Sequence, residues 1–155
     1  MNGNFSHNLI KGKIAETVFE QMFRSMGKFT VIPFGYESTL PEIAQNSHRV
    51  EYQFVLEQIR TAPDFAIVSH DQTEVFLVEV KYFNTHTDQE IKTVAEKIHR
   101  KWKVVRLFVA TPQGFFFDSC ARIIKNGGKI SEMNTNWVSR ELQDNFLQTL
   151  REFIH

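Results

Sequence analysis

At 155 residues, 42% hydrophobic and 23% charged, with fifteen phenylalanines as bulky core material, the chain excludes a disordered or low-complexity protein and points to a single domain over 1–155. Eighteen basic residues balance eighteen acidic ones, which excludes uniform attraction to nucleic acid; such a partner needs a local basic patch. One cysteine, Cys120, excludes an internal disulfide, and with neither a signal peptide nor a membrane-length apolar run the expected setting is the reducing cytoplasm with no membrane partner.

In chain order, the first pattern is helical. Ile14, Ala15, Val18, Phe19, Met22, Phe23 and Met26 form one apolar stripe, and Gly27 stops it. On a helical wheel Glu16 lies about 105° from the stripe's centre and Glu20 about 145°. Glu16 therefore borders the buried face, and Glu20 is expected to face solvent. Phe29 to Phe34 reads as a strand ended by Pro33 or Gly35. The stretch from Gly35 to Ala62 holds the turn formers Pro41, Asn46 and Ser47, then a short helix over Val50 to Arg60 with Tyr52, Val55, Leu56 and Ile59 on one face. An insertion of that kind serves as a lid, a ligand-contacting loop or a packing element.

A second strand begins at Pro63 or Asp64 and runs through Phe65, Ala66, Ile67 and Val68, proline being tolerated at a strand's first position. Ser69 to Thr73 is short and polar, so the next apolar run should return antiparallel. In that run Val75, Leu77, Glu79 and Lys81 share one face while Phe76, Val78 and Val80 share the other. Both faces are apolar for most of its length, so the strand is expected to be buried on both sides and to place charge only at its end. Thr87 or Asp88 can cap a helix whose apolar positions are Ile91, Val94, Ala95, Ile98 and Trp102. Val104 to Ala110 is a strongly apolar strand, and Phe115 to Phe117 reads as the start of another. A helix between strands implies a crossover and some parallel pairing. A final amphipathic helix from about Asn136 offers Trp137, Leu142, Phe146, Leu150 and Phe153 for burial.

The hairpin carries the chemistry. It returns Glu79 and Lys81 to the end of the sheet where Asp64 sits, and buried charge is costly unless a partner or a metal receives it. Two converging carboxylates form a hard oxygen site suited to Mg²⁺ or Mn²⁺, and a lysine beside them could orient or deprotonate an attacking water or neutralise charge developing on phosphorus. That combination points to metal-dependent phosphodiester cleavage.

With Pro63-Asp64 followed by Glu79-Val80-Lys81, the chain resembles the PD-(D/E)xK nuclease superfamily, the fold of many restriction endonucleases and of archaeal-type Holliday junction resolvases. The family's helical G-x-x-A-E pattern is matched by Gly12, Ala15 and Glu16. The resemblance implies a restriction endonuclease-like three-layer α/β fold, a central mixed sheet flanked by helices with an αβββαβ core, here followed by a C-terminal helix. It implies a Mg²⁺-dependent deoxyribonuclease with Asp64, Glu79, the main-chain carbonyl of Val80 and Glu16 at the metal, and Lys81 as the catalytic lysine. DNA is the implied partner, and a homodimer is the simplest arrangement for cutting both strands of a duplex.

The local basic patch is Lys92, Lys97, His99, Arg100, Lys101 and Lys103 on and past the helix after Lys81, with Lys97, Arg100, Lys101 and Lys103 as the expected nucleic-acid contacts. Other chemistries lack their signatures: the six histidines are scattered, no G-x-S-x-G elbow appears, and no phosphate-binding P-loop is present. Cys120 reads as a small buried hydrophobe rather than a nucleophile. Two alternatives come from other classes: a catalytically inactive nucleic-acid-binding or assembly module on the same fold, and an interaction protein using an exposed aromatic C-terminal helix.

Overall fold

A computed structural model describes residues 2–34 and 61–154. Among them the chain forms α1 (Asn2–Met26), β1 (Phe29–Pro33), β2 (Phe65–Ser69), β3 (Val75–Tyr82), α2 (Asp88–Lys101), β4 (Val105–Thr111), β5 (Gly114–Ser119), α3 (Cys120–Lys125) and α4 (Arg140–Phe153). The strands make one mixed sheet in the order β1-β2-β3-β4-β5, antiparallel except where β3 and β4 run parallel. That parallel pair is joined through α2, as a crossover requires. The helix expected over Val50 to Arg60 lies outside the described residues.

Local chemistry explains most boundaries. Gly27, at φ 75°, ends α1 in the left-handed conformation that glycine adopts most readily. Thr87 caps α2 through a reciprocal pair with Glu90, each side chain bonding the other's backbone N–H. Gln72, at φ 61°, turns the β2–β3 hairpin, while Asp71 accepts from Ser69, Thr73 and the Thr73 amide. Ser119 and Ser139 cap α3 and α4.

The alternation of β4 divides the core. Phe108 and Ala110 face α1 and α4, joining Phe19, Met22, Phe23, Ile67, Val78, Phe117 and Leu150 in one cluster. Leu107 and Val109 face the opposite way, toward Ile91, Ala95 and Ile98 of α2 and Cys120 and Ile123 of α3. Helices thus cover both faces of the sheet. The larger cluster is a ladder of rings: Phe19 lies 4.5 Å from Phe23, 5.1 Å from Phe65 and 5.1 Å from Phe108.

Three expectations are corrected, and one helix was not expected. Val75 is 60% exposed, because β4 begins pairing only at Leu77 and the hairpin tip projects past it. The final helix starts at Arg140 rather than near Asn136; Trp137 precedes it and, partly buried, packs against the core. Phe153, at the last turn of α4, is 67% exposed. Helix α3 carries no legible signal in the sequence, since six residues are too few for a helical period to show.

Phe108 is fully buried on a central strand and touches the rings of Phe19, Phe115 and Phe117. Phe108→Ala is expected to lower the unfolding free energy by about 3–5 kcal/mol in urea denaturation. Phe108→Leu should cost clearly less.

Candidate functional site

The site forms where β2 stops. Extending the β2–β3 register, in which Phe65 faces Val78, sets Asp64 opposite Glu79 and Pro63 opposite Val80. The Phe34 N–H donates to the Asp64 carbonyl at 2.9 Å, so the Asp64 backbone bonds toward β1, and the side chain turns back to β3. There Asp64 Oδ2 accepts the Val80 N–H at 2.8 Å. Pro63 has no N–H to return to the Val80 carbonyl, so the ladder loses a donor at the point where the acids gather.

Glu79 and Asp64 lie within side-chain hydrogen-bonding reach of each other, and Glu16 reaches Asp64 from α1. Burial pushes the Asp64 carboxyl up to about 8, and the Glu79 carboxylate adds to this; the Val80 amide pulls the other way. Burial also raises Glu16 to about 7, helped by the charge on Asp64 and opposed by Lys13. Three acids thus share one half-buried corner, with Asp64 in the middle.

Lys81 is exposed and lies on the same face of β3 as Glu79, two residues on, level with Val109 of β4. Glu20 departs from expectation. Its side chain is 22% exposed against 28% for Glu16, because Arg24 folds over it at 3.5 Å and reaches the Val31 carbonyl at 3.3 Å. Glu16 still stands apart, since it is the one that meets Asp64.

Lys97, Arg100, Lys101 and Lys103 are all exposed. They sit on and just past the end of α2, where Trp102 packs edge-on against Phe34 at 5.8 Å and the Phe34 N–H bonds the Asp64 carbonyl. Two further cations, which the sequence pattern alone did not single out, stand nearby: Lys13, 3.5 Å from Glu16, and Lys11, 5.5 Å from the centre of the Tyr82 ring. The i,i+3 spacing of Lys13 and Glu16 was the available signal.

Among the described residues no group of three or more His, Cys, Asp and Glu side chains is arranged to hold a metal ion by itself. The donor chemistry nonetheless fits a hard divalent cation: oxygens of Asp64 and Glu79 set close together, a main-chain carbonyl beside them, and an Asp64 proton affinity raised by burial and by its acidic neighbour. Such a cation would complete its shell with water and substrate oxygen. Cys120 is fully buried with its thiol pushed up to about 12, chiefly by burial, and offers neither nucleophile nor ligand. No helix among the described residues is long and apolar enough to cross a membrane. A groove of about 460 Å³ between α1 and α4 is lined by Leu9, Ile10, Ile14, Val18, Phe146 and Phe153; among the described residues Lys13 is its one ionisable side chain, so it offers no acid–base pair. Compared with protein-family models and with curated proteins, the chain matches none.

Because the folded carboxyls hold protons that the unfolded chain releases near pH 4, the folded state binds more protons between about pH 4 and about pH 8. Stability of the metal-free protein is therefore expected to fall as pH rises through that window, measured as the thermal midpoint. Asp64→Asn should flatten the slope and gain at least about 1.4 kcal/mol at pH 8, a tenfold change in the folding equilibrium.

Proposed function

We propose that this protein is a metal-dependent nuclease that hydrolyses phosphodiester bonds in DNA, on a restriction endonuclease-like version of its α/β fold. The observation that carries the reading is Asp64 held between Glu16 and Glu79, with Lys81 one same-face strand position beyond. A purely structural role would not gather acids at a buried corner where burial and crowding favour their protonated forms.

Asp64, Glu79 and the Val80 carbonyl would hold Mg²⁺ or Mn²⁺, with Glu16 at the margin. When bound, the cation supplies Lewis-acid stabilisation of charge developing on the phosphoryl oxygens and lowers the pKa of a coordinated water. The chain's own residues do the rest. Asp64, fixed by the Val80 amide, orients the acidic pair. Lys81 stands outside the core on the acids' face of β3, suited to orienting the attacking water or to neutralising charge on phosphorus. Glu16, with its proton affinity raised toward neutrality, can accept a proton from water near the site. Lys97, Arg100, Lys101 and Lys103 supply the local positive charge that the balanced composition withholds elsewhere, and would position the nucleic-acid backbone.

The second reading, a non-catalytic nucleic-acid-binding or assembly module, is favoured by one observation: Asp64 already has an oxygen engaged by the Val80 amide and a carboxyl raised to about 8, so it can rest protonated without a cation. Cleavage assays separate the two. With Mg²⁺ or Mn²⁺ and labelled linear, supercoiled, branched and single-stranded DNA, cutting that EDTA stops is expected. Lys81→Ala should lower the rate by at least about 10²-fold while DNA binding is kept, a loss expected of a group acting on the transition state. Full activity in Lys81→Ala removes the assignment of that lysine. Metal-independent binding without cutting establishes the second reading.

A further inference from the structure

Arg106 stands on the opposite face of the sheet from Glu79 and Lys81, on β4 beside Phe108. Its guanidinium carbon lies 4.8 Å from the ring centres of Phe117 and Trp137 and 5.9 Å from that of Phe76. The three rings form a walled cradle. Trp137 stands nearly perpendicular to Phe117, at 5.0 Å and 89°, and to Phe76, at 5.2 Å and 80°, while Phe29 stacks on Trp137 at 5.6 Å. Trp137 is itself fixed by a turn in which Asn134 accepts both the Trp137 amide, at its carbonyl, and the Asn136 amide, at its side chain.

What the guanidinium lacks, among the described residues, is an acceptor for its Nε. Its Nε is buried without a hydrogen-bond partner, and no described carboxylate pairs with it. Asp118 is the acid that acts on it electrostatically, yet both Asp118 oxygens are committed, to the Ser119 amide and to the amide and hydroxyl of Ser131. Positive charges stand nearby as well: Arg122 acts on Arg106 with like sign, and Lys28 is tied to the Asn136 carbonyl at 3.0 Å, next to Trp137. A planar five-donor group clamped between rings, with no described carboxylate paired to it, is pre-organised for an oxyanion from outside.

We propose that Arg106, cradled by Phe76, Phe117 and Trp137, is an oxyanion-binding site for phosphate, separate from the carboxylate corner. The ligand is the phosphate group, supplied either as free phosphate or by a nucleic-acid backbone. Lys28 and Arg122 add positive potential around it.

The cradle contains a reporter. The chain has two tryptophans, so a Trp102→Phe protein retains Trp137 as its one indole. Its emission is titrated with sodium phosphate against sodium chloride at matched ionic strength, without divalent metal. A saturable change with a midpoint of about millimolar is expected, weakened at least about tenfold by Arg106→Met and also weakened by Arg106→Lys, which keeps the charge but not the fork. Far-UV circular dichroism confirms that each variant is folded, and Arg106→Lys serves if the methionine variant is not. Displacement of phosphate by a short oligonucleotide identifies nucleic acid as the source; no displacement identifies free phosphate. No saturable change, or an equal one in a folded Arg106 variant, overturns the site and leaves Arg106 as a cap on the aromatic cluster.

Discussion

One hydrogen bond governs the candidate site: the Val80 N–H donating to Asp64 Oδ2 at 2.8 Å. It forms because β2 gives out at Pro63. A regular residue there would continue the ladder with Val80 and could leave the aspartate facing solvent. With proline opposite, the aspartate side chain takes over the strand's role for one position, and in doing so is drawn against Glu79. The packing of α1 across β1 and β3 then brings Glu16 to Asp64, and the alternation of β3 sets Lys81 two residues beyond Glu79 on the same face.

The cost of this arrangement is electrostatic. Two of the three acids have carboxyl pKa values well above the ordinary range, and burial is the first cause for each. Lys13 offsets part of the charge on Glu16, but among the described residues no cation does the same at Asp64, whose main compensation is an amide. A fold keeps such a cluster most readily when a ligand cation completes it. Arg106 is the inverse case on the other face: a desolvated cation held against aromatic rings, with Asp118 acting on it electrostatically but not paired to it.

Sequence legibility followed the strength of local signals. The hairpin, the parallel crossover, the Thr87 cap and the Glu79-Lys81 alternation were readable because period two, period 3.6 and capping chemistry are local. The apposition of Asp64 with Glu79 was readable because a short hairpin fixes register. The partial covering of Glu20 was not, since it depends on which way Arg24 folds and on the Val31 carbonyl, a contact seven residues away. The exposure of Val75 depends on where β4 begins, a tertiary matter. The Arg106 cradle was the least visible of all: its rings come from β3, β5 and the segment before α4, and nothing in the VVRLFVA run marks its one charge as different from a salt-bridged surface arginine.

Calorimetric titration of the protein with Mn²⁺ at pH 7, in two buffers of different ionisation enthalpy, tests the proposed metal centre most directly. Because a cation must displace the protons that burial and crowding hold on Asp64 and Glu16, binding should release about one or two protons, visible as a buffer-dependent heat, and Asp64→Asn should abolish it. Absence of Mn²⁺ binding, or binding with equal heat in both buffers and unchanged by Asp64→Asn, contradicts the claim that this corner is a metal centre.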